Sequence, residues 1–285
     1  MVNMSRFGLA TFVVLCVATS AVWYAVVQEN RHGLLTVSFL DIGQGDAIFI
    51  DAPSGRQALI DGGPADGGVL RRLSAVLPWY DRAIDVVIPT HPDADHIAGL
   101  VGVLARYRIE HIIYPSVAGD TATARELVAA IHRENARDSI AHRGQIIDMG
   151  SGAYLEILWP EREVEGMATN DACTVARLVY GKTAFMLPCD APQAIEKYLV
   201  SLDGKELHAQ VLKAGHHGSR TSSAPLFVGL VNPEWVVYSR GCDNTFGHPN
   251  KETIDTMARF GIPVADTCEE GTIRFVSDGE RVWRE

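Results

Sequence analysis

The hydrophobic pattern changes character twice along the chain. Phe7 to Val27 is uncharged and almost wholly apolar, with no polar face at any helical spacing. As a helix it would span roughly 31 Å at about 1.5 Å per residue, enough to cross a bilayer core. Trp23 and Tyr24 sit where an interfacial aromatic belt would lie. Two readings compete: a retained anchor comprising residues 1–30, or a signal peptide cleaved after Ala18-Thr19-Ser20. The length of the run favours the anchor. Arg6 at its start favours an orientation with the rest of the chain outside the cytoplasm, as a single-pass protein of the cell membrane. Arg31 and His32 close behind the run weigh against that orientation.

After a short polar linker, Gln28 to Gly33, short apolar runs alternate with amphipathic ones. Strands are predicted at 35–40, 47–51, 57–60 and 85–89, with Gly-Gln-Gly and Pro-Ser-Gly as turns between the first three. A helix is predicted at 97–107, a strand at 111–114, and a helix at 123–135 capped by Thr121 or Thr123. The second half predicts strands at 154–159, 173–180 and 183–187, the last two a hairpin turning on Gly181-Lys182. A helix at 192–202, strands at 211–213, 235–238, 263–265 and 272–276, and a helix at 251–260 complete the pattern. Each half runs through several strands and then helices, and hairpins are too frequent for a doubly wound parallel sheet. The predicted fold class is therefore α/β, a four-layer αββα sandwich over residues 31–285, preceded by one transmembrane helix.

Composition allows one large core, or at most two small domains: 285 residues, 47% of them hydrophobic. The net charge of −10 argues against a tight, non-specific grip on duplex DNA. It is compatible with a metal-centred nuclease, because bound ions supply positive charge locally. No CxxC pair is present, which argues against a zinc finger. The four cysteines beyond the apolar run, Cys173, Cys189, Cys242 and Cys268, could form two disulfides in an exported domain.

The densest chemistry lies in Thr90-His91-Pro92-Asp93-Ala94-Asp95-His96, between an apolar strand and a helix. Four ligand-type side chains within six residues suit two divalent ions, each of which needs several nitrogen or oxygen donors. Asp190 ends another apolar strand, where it can bridge two ions or cap the following helix. Lys213-Ala214-Gly215-His216-His217-Gly218-Ser219 follows a third strand, and adjacent histidines in a glycine-flanked loop rarely serve packing. One can ligate metal while the other faces substrate. Asn244 and Gly247-His248-Pro249 form a weaker signal, and Asp61 is placed to orient the metal loop by hydrogen bonding. Lys213 is either a salt-bridge partner or a phosphate contact, with the former favoured.

Phe39-Leu40-Asp41-Ile42-Gly43-Gln44-Gly45-Asp46-Ala47, His-Pro-Asp-Ala-Asp-His, His-His-Gly-Ser and Asn-x-x-Gly-His-Pro occur in this order. Together they resemble the metallo-β-lactamase-fold domain of the ComEC family, the DNA-uptake channels of natural competence, over roughly residues 35–280. The resemblance implies a metal-dependent hydrolase. By it, Asp93 stands where many of the wider superfamily have a second histidine, and Asn170 where they have a third. A first metal site richer in oxygen shifts preference from Zn²⁺ towards Mn²⁺ and suits phosphate chemistry. The polytopic channel of those proteins has no counterpart here, so a transport role is not carried over. The family usually has Ser near position 173 and Gly at 189, where this chain has cysteine.

The expectation is a phosphodiesterase, a nuclease acting on single-stranded or loosely structured DNA at the outer face of the membrane, with two divalent ions, Mn²⁺ or Zn²⁺. His91, Asp93 and Asp190 would hold one ion, and Asp95, His96, Asp190 and His216 the other. A bridging hydroxide would attack phosphorus in line. His217 or His248 would protonate the leaving oxygen or hold the phosphate, beside Asn170, Ser219 and Asn244 as substrate contacts. DNA or another phosphodiester is the expected partner, with the membrane engaged through residues 7–27 and no obligate protein partner. The rivals are an envelope hydrolase of a non-nucleic ester, such as a cell-wall phosphodiester or a lactone, and a catalytically quiet, metal-stabilised module of a DNA-uptake assembly. The hairpin register also brings Cys173 within one position of Cys189, so a disulfide between them is weighed against two small buried thiols.

Overall fold

The computed structural model describes residues 6–29, 33–117, 119–134 and 136–285. Two compact units divide at His32/Gly33. The first contains the helix α1 (Arg6–Glu29). Its window Phe7–Tyr24, with mean hydropathy 1.8, is long and apolar enough to cross a membrane. Arg31 and His32, on which the orientation argument turned, lie outside the described residues, as does the expected 30/31 boundary.

The second unit is a pair of sheets. In its first half come β1 (Leu35–Phe39), β2 (Ile48–Asp51), β3 (Gln57–Ile60), α2 (Gly68–Val76), β4 (Ala83–Ile88), α3 (Ala94–Leu104), β5 (Arg108–Tyr114), α4 (Ala122–Glu134) and β6 (Arg137–Ile140). Next come β7 (Ile146–Gly150), β8 (Ala153–Trp159), β9 (Val175–Tyr180), β10 (Thr183–Leu187), α5 (Gln193–Asp203), β11 (Val211–Lys213), α6 (Pro225–Val231) and β12 (Trp235–Tyr238). The chain ends with α7 (Lys251–Phe260), β13 (Val264–Asp266), α8 (Thr267–Glu270), β14 (Ile273–Ser277) and β15 (Val282–Arg284). One sheet runs β15-β14-β1-β2-β3-β4-β5-β6 and the other β13-β12-β11-β10-β9-β8-β7.

Three buried clusters give the four layers. Val37, Ile48 and Ile50 of the first sheet meet Leu155, Phe185 and Val211 of the second. Phe49 and Leu59, on the other face of the first sheet, pack on Leu73, Leu100, Val103 and Leu127 of α2, α3 and α4. Met186 and Leu212, on the other face of the second, pack on Leu199, Phe227 and Met257 of α5, α6 and α7. Strands covered on both faces read as continuous apolar runs, which is why the sequence showed them without alternation.

The expected sandwich is the observed one, and the hairpin register holds, with Thr183 opposite Tyr180 across Gly181-Lys182. Most boundaries shift by no more than two residues, and two elements move by three. The helix expected at 97–107 is α3, which starts at Ala94, so Asp95 and His96 lie on its first turn. The segment from Arg108 belongs to β5. Thr121 caps α4, accepting from the Ala124 N–H at 3.1 Å, and the expected end at Asn135 lies outside the described residues.

The Cys173–Cys189 disulfide is not formed. Both thiols are free and buried, and the bond joins Cys242 to Cys268. Cys189 adopts a left-handed backbone with φ 55°. That turn aims its Sγ at Thr90 Oγ1 (2.9 Å) and His91 Nδ1 (3.3 Å), while Cys173 Sγ faces the Pro188 carbonyl at 3.8 Å.

Candidate metal centre

The chemistry-bearing residues sit just past the C-terminal ends of β3, β4, β10, β11 and β12. Backbone hydrogen bonds lock these ends together. Asp61 N–H donates to Ile88 O (3.0 Å), Thr174 N–H to Thr90 O (2.9 Å) and His216 N–H to Cys189 O (3.1 Å). The loop after β1 closes over the ligand loop at Gly45. There a Cβ would lie 1.9 Å from the Asp95 carbonyl oxygen, so only glycine fits. Asp61, Cys189, His216 and His217 all hold positive φ between 48° and 59°. Such backbone costs of order 1 kcal/mol or more each for non-glycine residues and concentrates where side chains must be aimed.

The donors converge on Asp190. Its Oδ2 lies 3.3 Å from His96 Nε2 and 3.5 Å from each of His216 Nε2 and His217 Nε2. His217 Nε2 is also 3.5 Å from Asp95 Oδ2, and His91 Nε2 is 3.6 Å from Asp93 Oδ2. The His91 and His96 rings are 4.1 Å apart, centroid to centroid. The Nε2 atoms of His91, His96 and His217 are buried and without a hydrogen-bond partner among the described residues. These separations are long for hydrogen bonds but suit a shared cation, because two donors each about 2.1 Å from a tetrahedral ion lie roughly 3.4 Å apart. The residue set therefore fits divalent metal. Groups whose donor atoms lie within 4.8 Å of one another include Asp95-His96-His217, Asp46-Asp190-His217 and His91-His96-Cys189.

The outer hydrogen bonds leave these Nε2 atoms pointing inward. Asp61 accepts from Thr90 N–H (2.8 Å), Thr90 Oγ1–H (2.7 Å) and His96 Nδ1–H (2.8 Å), the orienting role expected of it. His217 Nδ1–H donates to Ser239 O at 2.9 Å. Lys213, fully buried, pairs with Asp46 and stands 3.4 Å from Asp190 Oδ1, so it is a salt-bridge partner.

The electrostatics ask for positive charge. Burial pushes the Asp190 carboxyl up, yet His217, His96 and Lys213 together hold it well below the usual range. Asp95 falls to about 2: its burial opposes this, and the nearby His217 imidazole and the charge of His96 outweigh it. Burial disfavours protonated His96 and His217, but the Asp190 charge, helped by Asp61 and Asp46 respectively, raises them, His217 to about 9. Two residues differ in sense. His216, lowered by burial, is half-exposed at the mouth. His248 is lowered to about 4 by burial and by its neighbours His216 and His217.

Most of the residues anticipated from sequence meet here: His91, Asp93, Asp95, His96, Asp190, His216, His217 and His248. The helix-cap alternative for Asp190 does not apply, because α5 starts at Gln193 with Pro192 as its cap residue. Asn170 joins the site with its Oδ1 buried and unpartnered and its Nδ2 3.5 Å from His216 Nδ1. Two expected substrate contacts are engaged elsewhere. The Ser219 hydroxyl bonds Thr221 Oγ1 at 2.9 Å. Asn244 spends its amide on Gly241 O, His248 O and His248 N–H, and so fixes the His248 loop. Sequence reasoning gave no role to Asp46, which is buried against Lys213 with Oδ1 3.5 Å from His217 Nδ1. Its signal was an acid directly after a Gly-Gln-Gly turn, where exposure is the ordinary expectation.

The chain matches the metallo-beta-lactamase superfamily over residues 40–225. It is 26% identical over 261 residues to ComE operon protein 3 of Bacillus subtilis (strain 168), covering 84% of this chain and 32% of that protein. It is 29% identical over 271 residues to competence protein ComA of Neisseria gonorrhoeae, covering 94% and 36%. The chain thus spans about a third of the length of these curated relatives. Among solved structures it resembles the metallo-beta-lactamase fold protein YhfI from Bacillus subtilis, with TM-score 0.56, 13% identity and coverage of 84% and 98%. It also resembles Zn(2+)-bound PqqB from Methylobacterium extorquens, with TM-score 0.54, 11% identity and coverage of 84% and 99%. At such identity the fold alone is shared. With a family match across most of the chain and the two-sheet sandwich that carries it, this protein belongs to the metallo-beta-lactamase superfamily, and its curated relatives are competence proteins of the ComEC family.

Proposed function

We propose that the protein is a metal-dependent phosphodiesterase that cuts nucleic-acid strands, held at the outer face of a membrane by α1. The observation that carries this is the convergence of three unpartnered imidazole Nε2 atoms with Asp95 and Asp190. In this reading Asp95, His96, Asp190 and His217 would hold one divalent ion, and His91, Asp93 and Asp190 the other. His217 replaces His216 in the expected set because its Nε2 is buried, unpartnered and close to both Asp95 and Asp190. Bound divalent ions supply Lewis acidity and a water acidified towards neutral pH.

The half-exposed His216 and the neutral His248 then face the substrate. His248, lowered to about 4, stays neutral at pH 7, so it donates an N–H to a phosphate oxygen. A carboxylate, Asp93, and an amide, Asn170, in place of imidazoles favour a hard cation such as Mn²⁺ and a phosphate ester over a lactam. The resemblance to the ComEC family of DNA-uptake channels favours DNA as the strand. The Cys242–Cys268 bond is consistent with a domain exposed to an oxidising compartment.

The test is a metal-reconstitution screen of chelator-stripped full-length protein in detergent. Substrates are single-stranded DNA, duplex DNA, RNA, bis-p-nitrophenyl phosphate, a lactone and a lactam. Mn²⁺ should restore phosphodiester cleavage. Hydrolysis of the lactone or lactam alone would refute the proposal, and so would metal-induced stabilisation without turnover on any substrate.

A further inference from the structure

The mouth of the site carries an aromatic ring that the metal cluster does not use. Phe246 is 64% exposed on the loop between β12 and α7. Its ring lies 5.7 Å from that of His248 at an interplanar angle of 23°, a stacked pair. His248 is in turn 5.4 Å from His216, whose Nε2 is 3.5 Å from Asp190 Oδ2. One face of the phenyl is thus backed by an imidazole that itself packs on His216, and the ring remains largely open to solvent.

The loop beneath it is built to stay still. Asn244 cross-links its backbone, and the Cys242–Cys268 bond ties its start to α8. Asn250 completes the frame. Its Nδ2 donates to Gly247 O and its Oδ1 accepts from Arg220 N–H, each at 2.9 Å. One amide therefore fixes Arg220 beside the Phe246-Gly247 backbone. Arg220 is exposed and forms no ion pair among the described residues, in a chain of net charge −10. An immobilised, solvent-facing aromatic, with the backbone of an exposed arginine pinned to the same loop, supplies what single-stranded nucleic acid binds: a π-face for a base and a cation within reach of its phosphate.

We propose that Phe246 is a nucleobase-stacking platform and Arg220 the phosphate contact beside it, so that this rim selects single strands over duplex. A duplex keeps its bases in their own stack, whereas a single strand can lay one base on the ring. The inference rests on the phosphodiesterase reading and adds the identity of the strand to it.

Cleavage kinetics of full-length protein with Mn²⁺ on two strands of equal length, one ordinary and one of abasic tetrahydrofuran residues, test it. Phe246→Ala should raise KM for the ordinary strand on the order of tenfold and leave KM for the abasic strand within about twofold. Phe246→Tyr should restore the wild-type value. Arg220→Ala should raise KM for both strands and flatten the salt dependence of binding by about 0.7 in log–log slope. An unchanged KM in Phe246→Ala overturns the platform, and so does an equal loss on both strands, which would mean that the ring only supports His248. A wild type that cleaves duplex DNA but neither single strand overturns this inference alone. A wild type that cleaves no phosphodiester overturns the functional reading with it.

Discussion

Replacing Lys213 by methionine keeps the length of the side chain and removes its charge. The ammonium is fully buried, pairs with Asp46, lies 3.4 Å from Asp190 and donates to Cys189 O at 3.2 Å. Burial alone would strip its proton, but the two carboxylates reverse that and hold it above the ordinary lysine value. In Lys213→Met both acids stay buried, and the nearest remaining cations would be protonated His217, 3.5 Å from Asp46, and His96, 3.3 Å from Asp190. Removing one partner of a buried ion pair costs about 3–5 kcal/mol. In a domain of this size each kcal/mol lowers Tm by about 2–4 °C, so a fall of about 6–20 °C is expected in chelator. Divalent ions beside Asp190 supply part of the missing charge, so the fall should be smaller in saturating Mn²⁺. Thermal denaturation of wild type and variant under both conditions reads this directly. A variant that melts within about 2 °C of wild type in chelator refutes the electrostatic account. An equal fall in both conditions refutes the idea that lysine and metal share the same carboxylate.

Two further outcomes follow from the geometry. Asp190→Asn should abolish most turnover and bring metal content down towards about one ion per chain, measured by elemental analysis; normal occupancy with normal turnover would reduce Asp190 to a structural acid. Glu196 is buried and pushed up to about 7 by that burial, against two N–H donors from Ser223 and Ala224 at 2.7 and 2.6 Å. The folded state keeps a proton that the unfolded chain loses near 4.5, so this group's stability is complete below that pH and drains away as pH rises through about 7. Glu196→Gln should therefore gain on wild type, by up to about 3 kcal/mol, between pH 5 and 8 in urea denaturation; parallel profiles would contradict the shift.

The fold was legible wherever both faces of a strand are covered, because burial writes an uninterrupted apolar run. β2, β4, β10 and β12 were all visible on that ground. The elements that escaped are those whose burial is partial. β6 and β15 are sheet edges with exposed or half-buried residues, and β7 alternates exposed and buried positions at the edge of the second sheet. The seven-residue α6 is too short for its apolar positions to set a period against the surrounding loop.

The site was legible as a set of residues, and its internal arrangement was not. Ligand-type side chains at strand ends announce themselves by residue type, but which of two adjacent histidines turns inward depends on backbone dihedrals that no spacing encodes. At Gly215-His216-His217-Gly218 both histidines take left-handed φ, 48° and 55°. Ser239, on the neighbouring strand end, accepts the Nδ1–H of His217 and buries that ring, while the ring of His216 stays half-exposed. The deciding partner is a backbone carbonyl 22 residues away. The same holds for Cys189, which sits where the resembling family has glycine and keeps the positive φ that glycine would take without strain. A bulkier residue there must put its side chain somewhere, and the space is against Thr90 and His91. The thiol thereby lines the wall of the metal site, and Cys173, on the adjoining strand end as the hairpin register required, is its hydrogen-bonding neighbour and not its disulfide partner.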